Sequence, residues 1–176
     1  LTDLPGNISW AVSPTIDLSK AITPIVRTLQ KSSRPYTVAL VLPPNVLSEG
    51  ATYTFTLNAY NVIESVSNSM AVTTNGPPMP GSVAVVPLQG VELIDEFTLI
   101  CSHWDDENIP LRYAFGTLDA AGESIIYASA ESQRATLTLA AGSEDDDYVK
   151  TLVFKIYDSL GAMSVDYASV TVNEIG

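Results

Sequence analysis

Residues 75–81 read Asn-Gly-Pro-Pro-Met-Pro-Gly, and three short apolar runs follow: Val83-Ala-Val-Val-Pro87, Phe97-Thr-Leu-Ile-Cys101 and Leu111-Arg-Tyr-Ala-Phe115. A Gly/Pro cluster of this kind cannot sit inside a helix or a central strand. It is read as a linker, 76–81, between two domains, with a new β-domain beginning at residue 82. Downstream of it the predicted strands are 83–87, 96–102, 111–117, 124–130, 135–139, 152–158 and 167–173. They recur at roughly 12-residue intervals with turn signals between them, the pattern of an all-β sandwich. Asp119-Ala-Ala-Gly122 and Asp158-Ser-Leu-Gly161 are the clearest turns.

Upstream, the segment 1–75 reads as part of a second sandwich. Strands are predicted over 8–12, 36–42, 53–59 and 67–73 from their alternation. Residues 16–29 carry apolar side chains at mixed spacing and Pro24, so an irregular connection is expected, with Asp17 able to cap a short helix. Leu47 precedes Tyr53 by the spacing of a tyrosine corner, in which the phenol bonds back to the backbone at the E–F turn. These strands match C, E, F and G of a fibronectin-III-like fold. Strands A and B are missing, so the expectation is a chain that starts partway into a domain and is completed by preceding sequence, a cleaved partner or another chain.

The bulk properties narrow the function. The chain has 176 residues, of which 16% are charged, against about 25% in ordinary globular chains. The net charge of −12 falls entirely on residues 76–176, while 1–75 are balanced. Phosphate backbones need clustered Lys and Arg, so nucleic acid is not expected as a partner, nor are anionic membrane surfaces. No run reaches the ~18 apolar residues of a membrane helix, and Leu1-Thr2-Asp3 does not begin a signal peptide. The chain is therefore expected to be a piece of something longer. One Cys and one His cannot make an internal disulfide or a zinc site. Asn7-Ile8-Ser9 is a glycosylation sequon and makes Asn7 a candidate modification site.

The motifs around the linker resemble those of one family. The receptor-for-egg-jelly (REJ) region of polycystin-1-like proteins has a Leu-x-x-Gly-x-x-Tyr-x-Phe strand, matched here by Leu47, Gly50, Tyr53 and Phe55. An Asn-x-Pro-Pro linker is matched by Asn75, Pro77 and Pro78, and the following strand by Val85 and Pro87. The Phe-x-x-x-Cys strand ending in Trp-x-Asp is matched by Phe97, Cys101, Trp104 and Asp106, and Pro-Leu-x-Tyr-x-Phe by Pro110, Leu111, Tyr113 and Phe115. The resemblance implies a non-enzymatic extracellular tandem of fibronectin-III-like domains, adhesive or mechanical, at a ciliary or cell surface. It also implies a Cys where Val83 stands, paired to Cys101 across strands A and B. With Val83 in that place, Cys101 is expected to be a buried free thiol.

Two acidic clusters are candidate cation sites. Asp105, Asp106 and Glu107 are tentative calcium ligands, since calcium takes six to eight oxygens, often from carboxylates. Glu144-Asp-Asp-Asp147 is the other cluster. In a sandwich the B–C and E–F turns lie at opposite poles, so the seven acids should not form one site. The first cluster is expected to face Asn45, Ser48 and Glu49 of the first segment. No resident cofactor is expected beyond that candidate calcium. Ser102, His103 and Asp105 lie too close along one strand end for a catalytic triad. Trp10 and Tyr53 are expected in the core and Trp104 as a plug at one pole, in preference to a sugar-stacking platform. The expected partners are neighbouring domains of a longer chain or other protein subunits. Alternative readings are a filament subunit completed by strand exchange and a glycan-binding module.

Overall fold

The computed structural model describes residues 5–30, 36–129 and 131–176. Leu1–Asp3, the bases Lys31 and Arg34 that enter the charge balance of 1–75, and Ala130 of the predicted strand 124–130 lie outside these. The chain divides between Gly76 and Pro77 into two units, and the described residues are all-β apart from two short 3-10 turns.

The first unit is one antiparallel sheet. Its strands are β1 (Gly6–Ser13), β2 (Val26–Leu29), β3 (Thr52–Tyr60) and β4 (Ser65–Thr73), in the order β2-β1-β3-β4. Side chains alternate across a strand, and the register makes the two faces unlike. Trp10 lies opposite Leu57, Val12 opposite Phe55, Phe55 opposite Met70, and Tyr53 opposite Val72. The other face carries Ser9, Ala11, Thr54, Thr56 and Ser69, with hydroxyl pairs Thr52–Thr73 at 2.9 Å and Thr56–Ser69 at 2.8 Å. One face is therefore suited to a core and the other to water.

Two expectations for this unit need correction. Residues 36–42 alternate as a strand should, but they form no ladder. Residues 16–29 are more ordered than an irregular connection: Asp17 caps a 3-10 turn at Leu18–Lys20, and β2 then pairs with β1. The tyrosine corner is present, with the Ser48 N–H donating to Tyr53 Oη at 2.9 Å.

The second unit is a two-sheet sandwich. Its strands are β5 (Ser82–Val86), β6 (Gln89–Val91), β7 (Glu96–Ser102), β8 (Arg112–Asp119), β9 (Gly122–Ser129), β10 (Arg134–Thr138), β11 (Val149–Tyr157) and β12 (Met163–Asn173). One sheet runs β10-β7-β5 and the other β6-β12-β11-β8-β9. Alternate residues of β7 (Phe97, Leu99, Cys101) pack with Tyr113 and Phe115 of β8 and with Leu152, Phe154 and Ile156 of β11. Phe115 meets Phe154 edge to face at 5.6 Å, an arrangement that adds about 0.5–1.5 kcal/mol to area burial.

The sequence reading missed only β6 here. Pro87 has no N–H to continue the β5 ladder, and the chain crosses to the other sheet, where Gln89–Val91 run parallel to β12. The expected linker is also revised, because residues 77–81 are built into this unit. Pro78 is buried, its carbonyl accepts from Ser164 Oγ at 2.6 Å, and Met79 pairs with Asp105.

Candidate functional sites

The turn after β7 holds the first acidic cluster. His103 turns the chain with φ of 61°, and Trp104 packs on the core while donating from Nε1 to the Ser82 carbonyl at 3.2 Å. The Asp105 carbonyl accepts from Met79 N–H at 2.7 Å, and Asp106 Oδ1 accepts from Asn108 N–H at 2.7 Å. Asp106 thus stabilises its own turn, as Asp does in such loops. Among the described residues no three His, Cys, Asp or Glu side chains gather to hold a metal ion. Asp105, Asp106 and Glu107 follow one another along this turn, with Asp105 and Glu107 exposed. Ser102, His103 and Asp105 stand along one strand exit, with His103 and Asp105 exposed.

The second cluster lies in the 3-10 turn Glu144–Asp146, between β10 and β11. The register puts the C-terminal end of β10 beside the start of β7, since Thr138 pairs with Glu96. The two clusters therefore lie at opposite poles of the unit. Asp145, Asp146 and Asp147 share an open cleft of about 740 Å³ with Lys150, whose Nζ donates to the Ala141 carbonyl at 3.2 Å.

Val83 and Cys101 are register partners across β5 and β7. Cys101 is a free thiol, 1% exposed. Burial, helped by the charge of Asp166, pushes its pKa up to about 12, and a thiol so held is unreactive. Asp158, which opens a turn read from the sequence, is a buried carboxylate, and its burial is not announced by that pattern. Its Oδ1 accepts from Leu160 N–H at 2.9 Å and Ala162 N–H at 2.8 Å, closing the β11–β12 turn.

In the first unit, Asn7 projects from the polar face and its Oδ1 accepts from Thr28 Oγ1 at 2.9 Å. Trp10 and Phe55 line an apolar groove of about 340 Å³ with Ala39, Leu40, Leu42 and Met70. Trp10 Nε1 is buried without a hydrogen-bond partner among the described residues, a state that costs about 1–3 kcal/mol. Sequence reasoning placed Trp10 in a core but had no signal for the unmet N–H.

No helix among the described residues is long and apolar enough to cross a membrane. Two solved structures of the N-terminal four Ig domains of Dscam1 are similar at low level. Isoform 7.44 has a TM-score of 0.29 at 11% identity, covering 98% of this chain and 38% of that one; isoform 4.44 has 0.31 at 12%, covering 99% and 38%. The polycystin family receptor for egg jelly of Mus musculus is 30% identical over 113 residues, and that of Homo sapiens 28% over 120. These alignments cover 57% and 61% of this chain and 5% of each relative. The model of the REJ domain family matches residues 6–175. That match takes in the corner at Tyr53, the Gly/Pro stretch and every strand of the second sandwich, so the chain belongs to the REJ domain family.

Proposed function

We propose that this chain is a non-enzymatic extracellular segment of a surface receptor, acting as a mechanical spacer between neighbouring domains. Family membership supports the setting, because the relatives are named as receptors and the matched region is 5% of their length. The chemistry of the second unit supports the absence of catalysis. Its buried thiol is held protonated and its buried carboxylate accepts backbone N–H groups.

The observation that carries the mechanical reading is the parallel pairing of β6 with β12. These strands lie near the two ends of the second unit and are joined at Gln89–Thr171, Gly90–Val172 and Asn173–Val91. The flanking bonds Thr171 N–H to the Leu88 carbonyl at 3.0 Å and Glu92 N–H to the Asn173 carbonyl at 2.8 Å extend the contact. Tension applied through the two chain ends pulls parallel strands past each other along their axes. The hydrogen bonds are then loaded together in shear and do not open one at a time.

Single-molecule stretching between reference domains tests this. The second unit is expected to rupture in one discrete step. Thr171→Pro, which removes the N–H donated to Leu88, is expected to lower the rupture force. Smooth extension with no discrete step would remove the mechanical reading.

A further inference from the structure

The two units share one strand plan, and the comparison shows what the first one lacks. The order β2-β1-β3-β4 repeats β9-β8-β11-β12, all antiparallel, with strands appearing in the same chain order. In the second unit this sheet is faced by β5 and β7, which precede β8 in the chain, and by β10, which lies between β9 and β11. Among the described strands β10 is paired with β7, in five residue pairs from Arg134–Ile100 to Thr138–Glu96. In the first unit the stretch 36–42 occupies the chain position of β10. It has the alternation of a strand and supplies Ala39, Leu40 and Leu42 to the groove, yet it forms no ladder, and no counterpart of β7 is present among the described residues of this unit.

Other features agree. Met70 and Val66, on the apolar face, are 64% and 53% exposed. The buried Trp10 Nε1 lacks an acceptor among the described residues at that groove. The hydrogen bonds of Val41 turn one way, its N–H to Thr23 Oγ1 at 2.9 Å and its carbonyl to Ile22 N–H at 2.8 Å. Successive backbone groups of an extended chain alternate in direction, which leaves Leu40 and Leu42 facing the opposite edge.

We propose that the groove over Trp10 and Met70 seats a pair of apolar strands from the same polypeptide, upstream of residue 1, one of which pairs antiparallel with 36–42 as β7 pairs with β10. The chain order of the second unit assigns that side, and the great length of the relatives beyond the matched region supplies room for such strands. The occupant is an extended segment of alternating apolar residues that brings an oxygen to Trp10 Nε1. The inference rests on the tandem-sandwich reading. Its test addresses the first unit alone, whereas the stretching experiment addresses the second, so the two can fail separately.

The experiment compares hydrogen exchange by nuclear magnetic resonance in this chain and in the same chain carrying roughly 60 more native residues upstream, about half a sandwich. The Trp10 indole resonance is assigned with Trp10→Phe. In the longer protein the amides of Leu40 and Leu42 and the Trp10 indole N–H are expected to exchange on the order of 100-fold more slowly. Met70→Lys in that protein should abolish the protection, and Ser69→Lys, on the polar face, should leave it. Unchanged exchange in the longer protein would overturn the proposal. So would equal effects of the two Lys variants. Protection in the shorter chain that grows with its concentration would assign the face to a second copy and overturn the upstream source.

Discussion

The pair Val83–Cys101 shows how much one residue decides. Cys101 N–H donates to the Gln133 carbonyl at 2.8 Å, toward β10. In an antiparallel strand N–H and C=O of one residue point the same way, so the Val83–Cys101 pair is not hydrogen-bonded across β5 and β7. Such pairs bring Cα atoms to about 4.5 Å, within disulfide reach. Val83→Cys is therefore expected to form a disulfide with Cys101 and stabilise the second unit by ~3 kcal/mol, the value for a loop of about 15 residues. A melting temperature that rises under oxidising conditions and returns with reductant checks it. The free thiol of the present chain has its own signature. Its folded pKa of about 12 lies above the ordinary 9.0, so its contribution is complete below pH 9 and is lost as pH rises toward 12. Denaturant titrations across that window should show stability falling by up to ~1.4 kcal/mol per pH unit. Cys101→Ala should remove that share of the slope, as should the disulfide. The register behind both predictions was legible only through the family resemblance; the alternation of Phe97, Leu99 and Cys101 alone predicts burial, not a partner.

At the level of elements, the sequence was readable wherever a strand had two unlike faces and a partner on the page. β3 and β7 announce themselves by alternation because one side of each is buried, and β11 by an apolar run, Leu152–Phe154, buried on both faces. β2 does not, since three of its four residues are exposed, and β6 is too short to show a period. The stretch 36–42 erred the other way: its pattern records a core-facing strand, and pairing, which pattern cannot supply, is absent. The acidic turns were readable as clusters, but whether carboxylates converge depends on turn geometry that spacing does not encode. The Gly/Pro stretch was readable as a boundary, though its function as part of the second unit was not. Gly81 leaves no room for a side chain in that stretch. A Cβ there would lie 2.2 Å from the Ser102 carbonyl oxygen and 2.6 Å from Trp104 N, both backbone atoms fixed by the end of β7. Gly81→Ala is expected to destabilise the second unit by about 2 kcal/mol or more. A chemical denaturation series that finds the variant within ~0.5 kcal/mol of the parent would show that the β5 entry is looser than this contact implies.

Across the whole molecule, charge and core are divided unequally, and so should stability be. The first unit buries Ile8, Tyr53 and Phe55 beneath a partly uncovered face, whereas the second holds a continuous cluster from Val85 to Val172 that joins both sheets. Apolar burial stabilises by roughly 25 cal/mol per Å², and domains of such different cores need not unfold together. The chain carries one tryptophan in each unit, Trp10 and Trp104, so each can be followed separately. With Trp104→Phe, fluorescence should report an early thermal transition from Trp10. With Trp10→Phe, Trp104 should report a later one. The sixteen acids of residues 76–176 against four bases add a second distinction. Self-repulsion of like charges weakens as salt screens it, so raising ionic strength from about 0.01 to 0.15 M should move the Trp104 transition upward and leave the Trp10 transition nearly fixed. Coincident transitions for the two probes, shifting together with salt, would mean that the units fold as one cooperative body. In that case the bare face of the first sheet would not be the weak point of the chain.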